Sequence, residues 1–280
     1  MLPPGTAELI DRALREDIGD GDHTTLATIP PSAHGAARLL VKDDGVLAGV
    51  DLAVAIMEQF DPALSPRIFI NDGALIQKGD VAFTVSGPER SILTIERLVL
   101  NFMQRMSGIA TLTRRFVNEV EGTGCKILDT RKTTPGLRAI EKWAVRTGGG
   151  HNHRHGLFDM IMIKDNHVDM AGGIPQAIQS AQEYLFRNSL QLPIEVETRD
   201  LREVRSVLDC GGIQRIMLDN FTPELITEAV QLIGGKFETE ASGGINLSNV
   251  RAYAETGVDF ISVGVLTHGA PSLDLSLKAL

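Results

Sequence analysis

A chain of 280 residues is long enough to bury a large core in one or two domains. With 43% hydrophobic and 22% charged residues it has the balance of a folded globular protein, which excludes disorder. A formal net charge of −9 argues against a nucleic-acid surface, and two cysteines, Cys125 and Cys210, exclude a disulfide framework.

The opening residues MLPPGTAELIDR carry neither a basic nor an apolar leader. The most apolar stretches, such as VLAGVDLAVAIM, fall short of the ~20 residues a membrane span needs. A cytoplasmic protein without membrane contact is therefore expected. Thr6 is placed to cap a short helix with Leu9, Ile10, Ala13 and Leu14 on one face. The Gly/Asp-rich EDIGDGDHTT that follows lacks the spacing of an EF-hand and reads as a turn. ARLLVK and VLAGV flank Asp43-Asp44-Gly45, a hairpin signal. DLAVAIMEQF reads as a helix, and RIFI, ALIQ and VAFTVSG as short strands, so this first part is an α+β module.

From Ser91 to Glu121 the period changes to that of one long helix, striped by Ile92, Ile95, Val99, Phe102, Met106 and Ile109. A second stripe of Arg97, Asn101, Arg105 and Gly108 is polar, so it either meets solvent or looks into a site or a subunit contact. Beyond Gly124 strands and helices alternate. KILDT, FDMIMIK, PIEVET, RIMLD, FETEAS and DFISVG are the strands, and LRAIEKWAVRT, PQAIQSAQEYLF, LREVRSVLD, PELITEAVQLI and LSNVRAYAET the helices. That pattern implies parallel β/α units, and six strands fit a β/α barrel that is complete or nearly so.

Chemistry in such a barrel gathers where strands end. The residues there are Asp129, Thr130, Arg131 and Lys132; Lys164 to His167; Glu195, Glu197 and Thr198; Asp219 and Asn220; Ser242, Gly243 and Gly244; and Val263, Gly264 and Val265, followed by His268. Arg131, Lys132, His153, Arg154 and Lys164 form a basic knot in an acidic chain, suited to a small, multiply charged anion. Arginine holds carboxylates or phosphates through two parallel hydrogen bonds, whereas lysine acts as a point charge. SGGIN before a helix, and ISVG, offer backbone amides for a phosphate. Glu197 and Asp219 are placed to bind ribose hydroxyls, a substrate-bound Mg²⁺ or the lysines. The alternating His151, His153 and His155 of GGGHNHRH resemble a zinc cluster, but three glycines precede them and Arg154 sits among them, which favours anion binding. Lys164 also admits a Schiff-base reading, which leaves the arginines unexplained.

ERLVLN, SGIAT, DTRKTTPGLR, GGGHNHRHGL, IKDNH, IEVE, MLDN, SGGI and SVGVLTH occur in this order, and EDIGDGDHTT precedes them. The ordered set resembles the quinolinate phosphoribosyltransferases over nearly the whole chain. No charged motif position departs from the family pattern, although Gly269 stands where some relatives have serine. The resemblance implies an N-terminal α/β sandwich over residues 1–108 and an incomplete, seven-stranded α/β barrel over 109–269, with the tail 270–280 packed back on the sandwich. It implies a homodimer, or a hexamer of dimers, in which Arg97 reaches the neighbouring subunit's site. The substrates would be quinolinate and phosphoribosyl pyrophosphate, with Mg²⁺ and no organic cofactor. Arg131, His153, Arg154, Lys164 and Arg97 would hold the dicarboxylate; Lys132, Lys164, Glu197 and Asp219 would face the pyrophosphate and its Mg²⁺. Thr130 and His268 would line the site, with Ser242–Gly244 and Val263–Val265 seating the 5′-phosphate. A paralogue of this fold serving another aromatic acid, or associated with molybdate transport, is the alternative.

Overall fold

The computed structural model describes residues 2–280, which form two compact units. One runs to Arg114 and adds Thr133–Gly149 and Leu266–Leu280; the other comprises Arg115–Lys132 and Gly150–Val265. In chain order the elements begin with α1 (Thr6–Ile18), α2 (His23–Thr28), β1 (His34–Val41), β2 (Gly45–Val46) and α3 (Val50–Phe60). Next come β3 (Ser65–Ile68), β4 (Leu75–Ile76), β5 (Val81–Pro88) and α4 (Glu89–Glu119). Then follow β6 (Lys126–Leu128), α5 (Arg138–Thr147), β7 (Ile161–Ile163), α6 (Asp165–Ala171), α7 (Ile174–Arg187) and β8 (Ile194–Thr198). The chain closes with α8 (Leu201–Cys210), β9 (Arg215–Asp219), α9 (Pro223–Ile233), β10 (Glu238–Ser242), α10 (Val250–Ala254), β11 (Phe260–Ser262), α11 (Val265–His268) and β12 (Leu275–Ala279).

In the first unit an antiparallel sheet runs β12-β1-β5-β3. Its central strand β1 is bonded on one edge to β5 and on the other to the C-terminal β12, so both edges are occupied. That occupancy overturns the hairpin expected at Asp43-Asp44-Gly45: β2 pairs with β4 instead. EDIGDGDHTT is likewise not one turn. α1 continues to Ile18, and Asp22 then caps α2 by accepting the Thr25 N–H at 3.0 Å. Thr6 is the first helical residue, not the cap; Gly5 takes the cap position with φ 80°.

The apolar stripe of α4, from Ile92 to Ile109, is buried as its period requires. Part of the polar stripe is inward-facing too. Arg105 donates to Glu141 on α5 at 2.8 and 3.1 Å and to the carbonyls of Ala270 and Thr267. Glu141 is fully buried and also accepts from the Thr134 N–H and hydroxyl. A Cβ on Gly108 would collide with the Pro271 carbonyl oxygen, so only glycine lets the C-terminal segment lie against α4 there. Gly108→Ala is accordingly expected to cost about 1–3 kcal/mol through backbone displacement. A lowered thermal midpoint reads this; an unchanged midpoint contradicts it.

The second unit is the barrel. Six parallel strands run β6-β11-β10-β9-β8-β7. A seventh position is filled by a single bridge: His151 pairs with Leu128 in parallel, its N–H donating to Ile127 O and its C=O accepting from Asp129 N. GGGHNHRH therefore supplies a rudimentary strand beside β6. The strands are buried on both faces, as a helix-covered parallel sheet demands, and β8 is buried at every residue. No helix among the described residues is long and apolar enough to cross a membrane.

Candidate active site

The barrel's strand ends gather most of the residues singled out from sequence. Asp129, buried at the end of β6, accepts the His153 N–H at 2.8 Å and the Asn152 side-chain amide at 2.5 Å. This ties the His151 bridge to the first barrel strand and fixes the start of His153-Arg154. Thr130 Oγ accepts from Lys132 N–H at 3.0 Å, a tight turn that leaves Lys132 exposed and Arg131 half-buried between them. Arg131 Nε is buried with no hydrogen-bond partner among the described residues. Arg154, held to Met160 O at 3.3 Å, has its pKa lowered by burial and then by the charge of Arg131. Two guanidiniums thus press on each other, an arrangement that an anion relieves.

Lys164, just past β7, pairs with Glu197 at the end of β8 at 3.0 Å. The contact realises the carboxylate–lysine pairing open at the strand ends, and it does not single out Lys164 as a Schiff-base lysine. Asp219, at the end of β9, accepts from the Asn220 amide at 2.6 Å, and burial followed by the charge of Glu197 raises its pKa. Two carboxylates on adjacent strands with one lysine between them leave excess negative charge. These hard oxygen donors fit a Mg²⁺ that also holds substrate oxygens.

The glycine turn after β10 is required by geometry. Gly243 has φ 96°, and a Cβ there would collide with Asn220 Oδ1; Gly244 has φ 64° and borders open space. Ser242 O accepts the Asn220 N–H at 2.8 Å, which locks the turns after β9 and β10 together. The expected helix N-terminus does not follow: α10 begins only at Val250 and is five residues long, so any phosphate seat here is made by turn amides. Val263 is not available as expected, because its N–H is committed to Leu128 O at 2.9 Å. Gly264 and Val265 lead into α11, which ends in the exposed His268. His268 and the exposed Arg97 both belong to the first unit.

His153 departs most from its expected place. Its side chain is only 4% exposed, and Nε2 lies 3.0 Å from Glu195 Oε2 and 3.4 Å from Glu240 Oε2. Glu195 and Glu240 are both 0% exposed, and Arg215 Nη1 reaches Glu240 at 2.9 Å. Burial disfavours a charged ring, but the two carboxylates outweigh it and push the imidazole up; burial and Glu240 push Glu195 up. Glu240 stays ionised, since His153, Arg215 and Ser262 outweigh its burial. On the other side of the ring, Nδ1 accepts the Arg154 N–H at 2.6 Å. His153, Glu195 and Glu240 are also the group among the described residues whose ligand atoms converge as a metal site would, unlike the alternating histidines. Arg215, which holds Glu240 at 2.9 Å, already places a cation beside these carboxylates, and this disfavours a metal there. Glu240 was missed from sequence; an acid in the middle of a buried parallel strand was the available signal.

The strand ends therefore gather cations, carboxylates and turn amides of the kind that an anionic ligand would meet. Comparison narrows this. The C-terminal domain model of quinolinate phosphoribosyl transferase matches residues 109–278, and the N-terminal domain model matches residues 22–107. The chain is 48% identical over 286 residues to the mitochondrial quinolinate phosphoribosyltransferase [decarboxylating] 2b of Nicotiana tabacum, covering 97% of this chain and 81% of the relative. It is 40% identical to a probable nicotinate-nucleotide pyrophosphorylase [carboxylating] of Bacillus subtilis, covering 96% and 92%. The crystal structure of NadC from Streptococcus pyogenes superposes with a TM-score of 0.92 at 38% identity, covering 98% of this chain and 96% of that one. The chain belongs to the quinolinate phosphoribosyl transferase family.

Proposed function

We propose that the protein transfers the phosphoribosyl group of phosphoribosyl pyrophosphate to quinolinate with decarboxylation, giving nicotinate mononucleotide, CO₂ and pyrophosphate for de novo NAD biosynthesis. The observation that carries this reading is the pair Arg131 and Arg154, two half-buried guanidiniums of which one has an unpartnered Nε. Quinolinate, a planar pyridine with two adjacent carboxylates, suits two fork-shaped donors. Lys164 adds a third cation, and Arg97 of the partner subunit a fourth, in a homodimer with shared sites.

In this reading the pyridine nitrogen attacks ribose C1 as pyrophosphate leaves. Positive charge develops on the sugar, and Glu197 and Asp219 stabilise it while Lys132 and Lys164 neutralise the leaving group. Mg²⁺, held by Glu197 and Asp219 directly or through substrate and water, supplies further charge neutralisation for the pyrophosphate. Once the nitrogen is ribosylated the ring becomes a pyridinium, an internal electron sink. The C–CO₂ bond next to nitrogen then breaks, its electron pair stays on that carbon, and a proton takes the place of CO₂. No pyridoxal phosphate or thiamine is needed. The turn at Ser242–Gly244, facing Gly264 and Val265 across the last two strands, seats the 5′-phosphate.

Calorimetric titration tests the acceptor. The account expects quinolinate to bind at least about tenfold more tightly than the monocarboxylate nicotinate, since a second carboxylate engages a second guanidinium. Equal affinities contradict it. Gly243→Ala tests the phosphate seat: strain and collision with Asn220 Oδ1 cost about 1–3 kcal/mol, and the KM for phosphoribosyl pyrophosphate is expected to rise about tenfold or more. An unchanged KM removes the turn from the site.

A further inference from the structure

One ion pair gathers three separate stretches of the chain. Glu141, in the first turn of α5, is fully buried. Its carboxylate accepts from Arg105 Nε at 3.1 Å and Nη2 at 2.8 Å, and from the Thr134 N–H at 3.0 Å and hydroxyl at 2.8 Å. The same guanidinium donates onward, through Nη1 to the Ala270 carbonyl at 2.9 Å and through Nη2 to the Thr267 carbonyl. It therefore holds the backbone on both sides of His268. Along the chain Thr134 follows Lys132 by two residues, and between them Thr133 Oγ accepts from Arg138 Nε at 3.0 Å. Thr267 follows Val265 by two residues, within α11. The reaction proposed above sets Lys132 against the leaving pyrophosphate and Gly264 and Val265 at the 5′-phosphate, and it gives Arg105 and Glu141 no part.

We infer that Arg105 and Glu141 are positioning residues for phosphoribosyl pyrophosphate: one ion pair fixes the chain just after Lys132 and just after Val265, and so sets the seats for both charged ends of that substrate. This rests on the reading of the site as one for phosphoribosyl pyrophosphate. In this role neither side chain touches the substrate; each acts through the backbone it holds. Energetics favour positioning over plain stabilisation. A buried ion pair adds little stability over an apolar filling of the same volume. A fully satisfied polar network, by contrast, fixes particular backbone atoms in place. Arginine suits the task because one planar fork serves a carboxylate and two carbonyls at once, which a single ammonium cannot do. The dicarboxylate contacts depend on the pair far less. Arg131 lies inside the turn that Thr130 Oγ and the Lys132 N–H close, and Arg154 stands on another loop.

The test is calorimetric titration of the full chain with phosphoribosyl pyrophosphate and Mg²⁺, and separately with quinolinate, in the unmodified protein, in Arg105→Lys and in Thr134→Val. Arg105→Lys keeps a cation beside Glu141 but loses the fork. Its Kd for phosphoribosyl pyrophosphate is expected to rise about tenfold or more, while its Kd for quinolinate stays within about threefold. Thr134→Val keeps the shape and removes one hydroxyl bond to Glu141, so a rise of about threefold is expected for phosphoribosyl pyrophosphate alone. General loosening of the fold would weaken both ligands alike. Equal weakening of both, or an unchanged affinity for phosphoribosyl pyrophosphate in a folded variant, overturns the inference; if Arg105→Lys does not fold, Thr134→Val decides. The unmodified chain tells the two failures apart. If it does not bind phosphoribosyl pyrophosphate, the reading of the site falls and the inference with it; binding that neither variant weakens removes the inference alone.

Discussion

Arg131→Ala is expected to weaken quinolinate binding by about 2–5 kcal/mol, or roughly 30- to 5,000-fold in Kd, the scale of losing one partner of a desolvated charge pair. The magnitude follows from the side chain's setting. Its Nε is shielded from water yet has no protein acceptor among the described residues, and Arg154 raises the local positive potential. Such a group is costly in the empty site and repays that cost only when an anion arrives. Removing it should leave the fold intact or slightly stabilised, since a repulsion is lost. Calorimetry of the variant reads the affinity and thermal unfolding reads the fold. Unchanged quinolinate affinity refutes the assignment.

Lys164→Ala carries the second large effect. Its ammonium sits 3.0 Å from Glu197 and is half-buried at the end of β7, where both substrates would place negative charge. The substitution removes a cation that opposes charge on the leaving pyrophosphate, and it strands a nearly buried carboxylate. A fall in kcat/KM of about 10²–10³ is expected, the scale of losing one preorganised electrostatic contact. Lys164→Arg restores the charge but not the compact ammonium, so it should recover only part of the loss. Steady-state kinetics of both variants checks this; a kcat/KM within about threefold of the unmodified chain for Lys164→Ala contradicts it.

Much of the barrel was legible because its signal is local. Six apolar strands separated by amphipathic helices leave one arrangement that buries every strand on both faces, and each predicted strand core, from Ile127 to Ile261, lies in the sheet. What escaped was set by partners far away in sequence. Asp43-Asp44-Gly45 has hairpin chemistry, but β1 had already given its edges to β5 and to a strand more than two hundred residues later. Arg105 stood on a polar stripe that the sequence left between solvent and an inward site; only the fold shows Glu141 and the Thr267 and Ala270 carbonyls around it. At the site, residue types announced the chemistry of Arg131, Arg154 and Lys164, since cations at turns in an acidic chain are rarely filler. The inward turn of His153 was not legible, because it depends on Glu240, whose place on the barrel's inner wall is fixed by strand register and not by any local pattern.

The central claim is tested most directly by mixing the protein with quinolinate, phosphoribosyl pyrophosphate and Mg²⁺ and following all products by mass. The account predicts nicotinate mononucleotide, CO₂ and pyrophosphate in equal amounts, with no product when quinolinate or phosphoribosyl pyrophosphate is omitted. A folded protein that binds phosphoribosyl pyrophosphate yet forms no nicotinate mononucleotide would contradict it and point to a different aromatic acid as the acceptor.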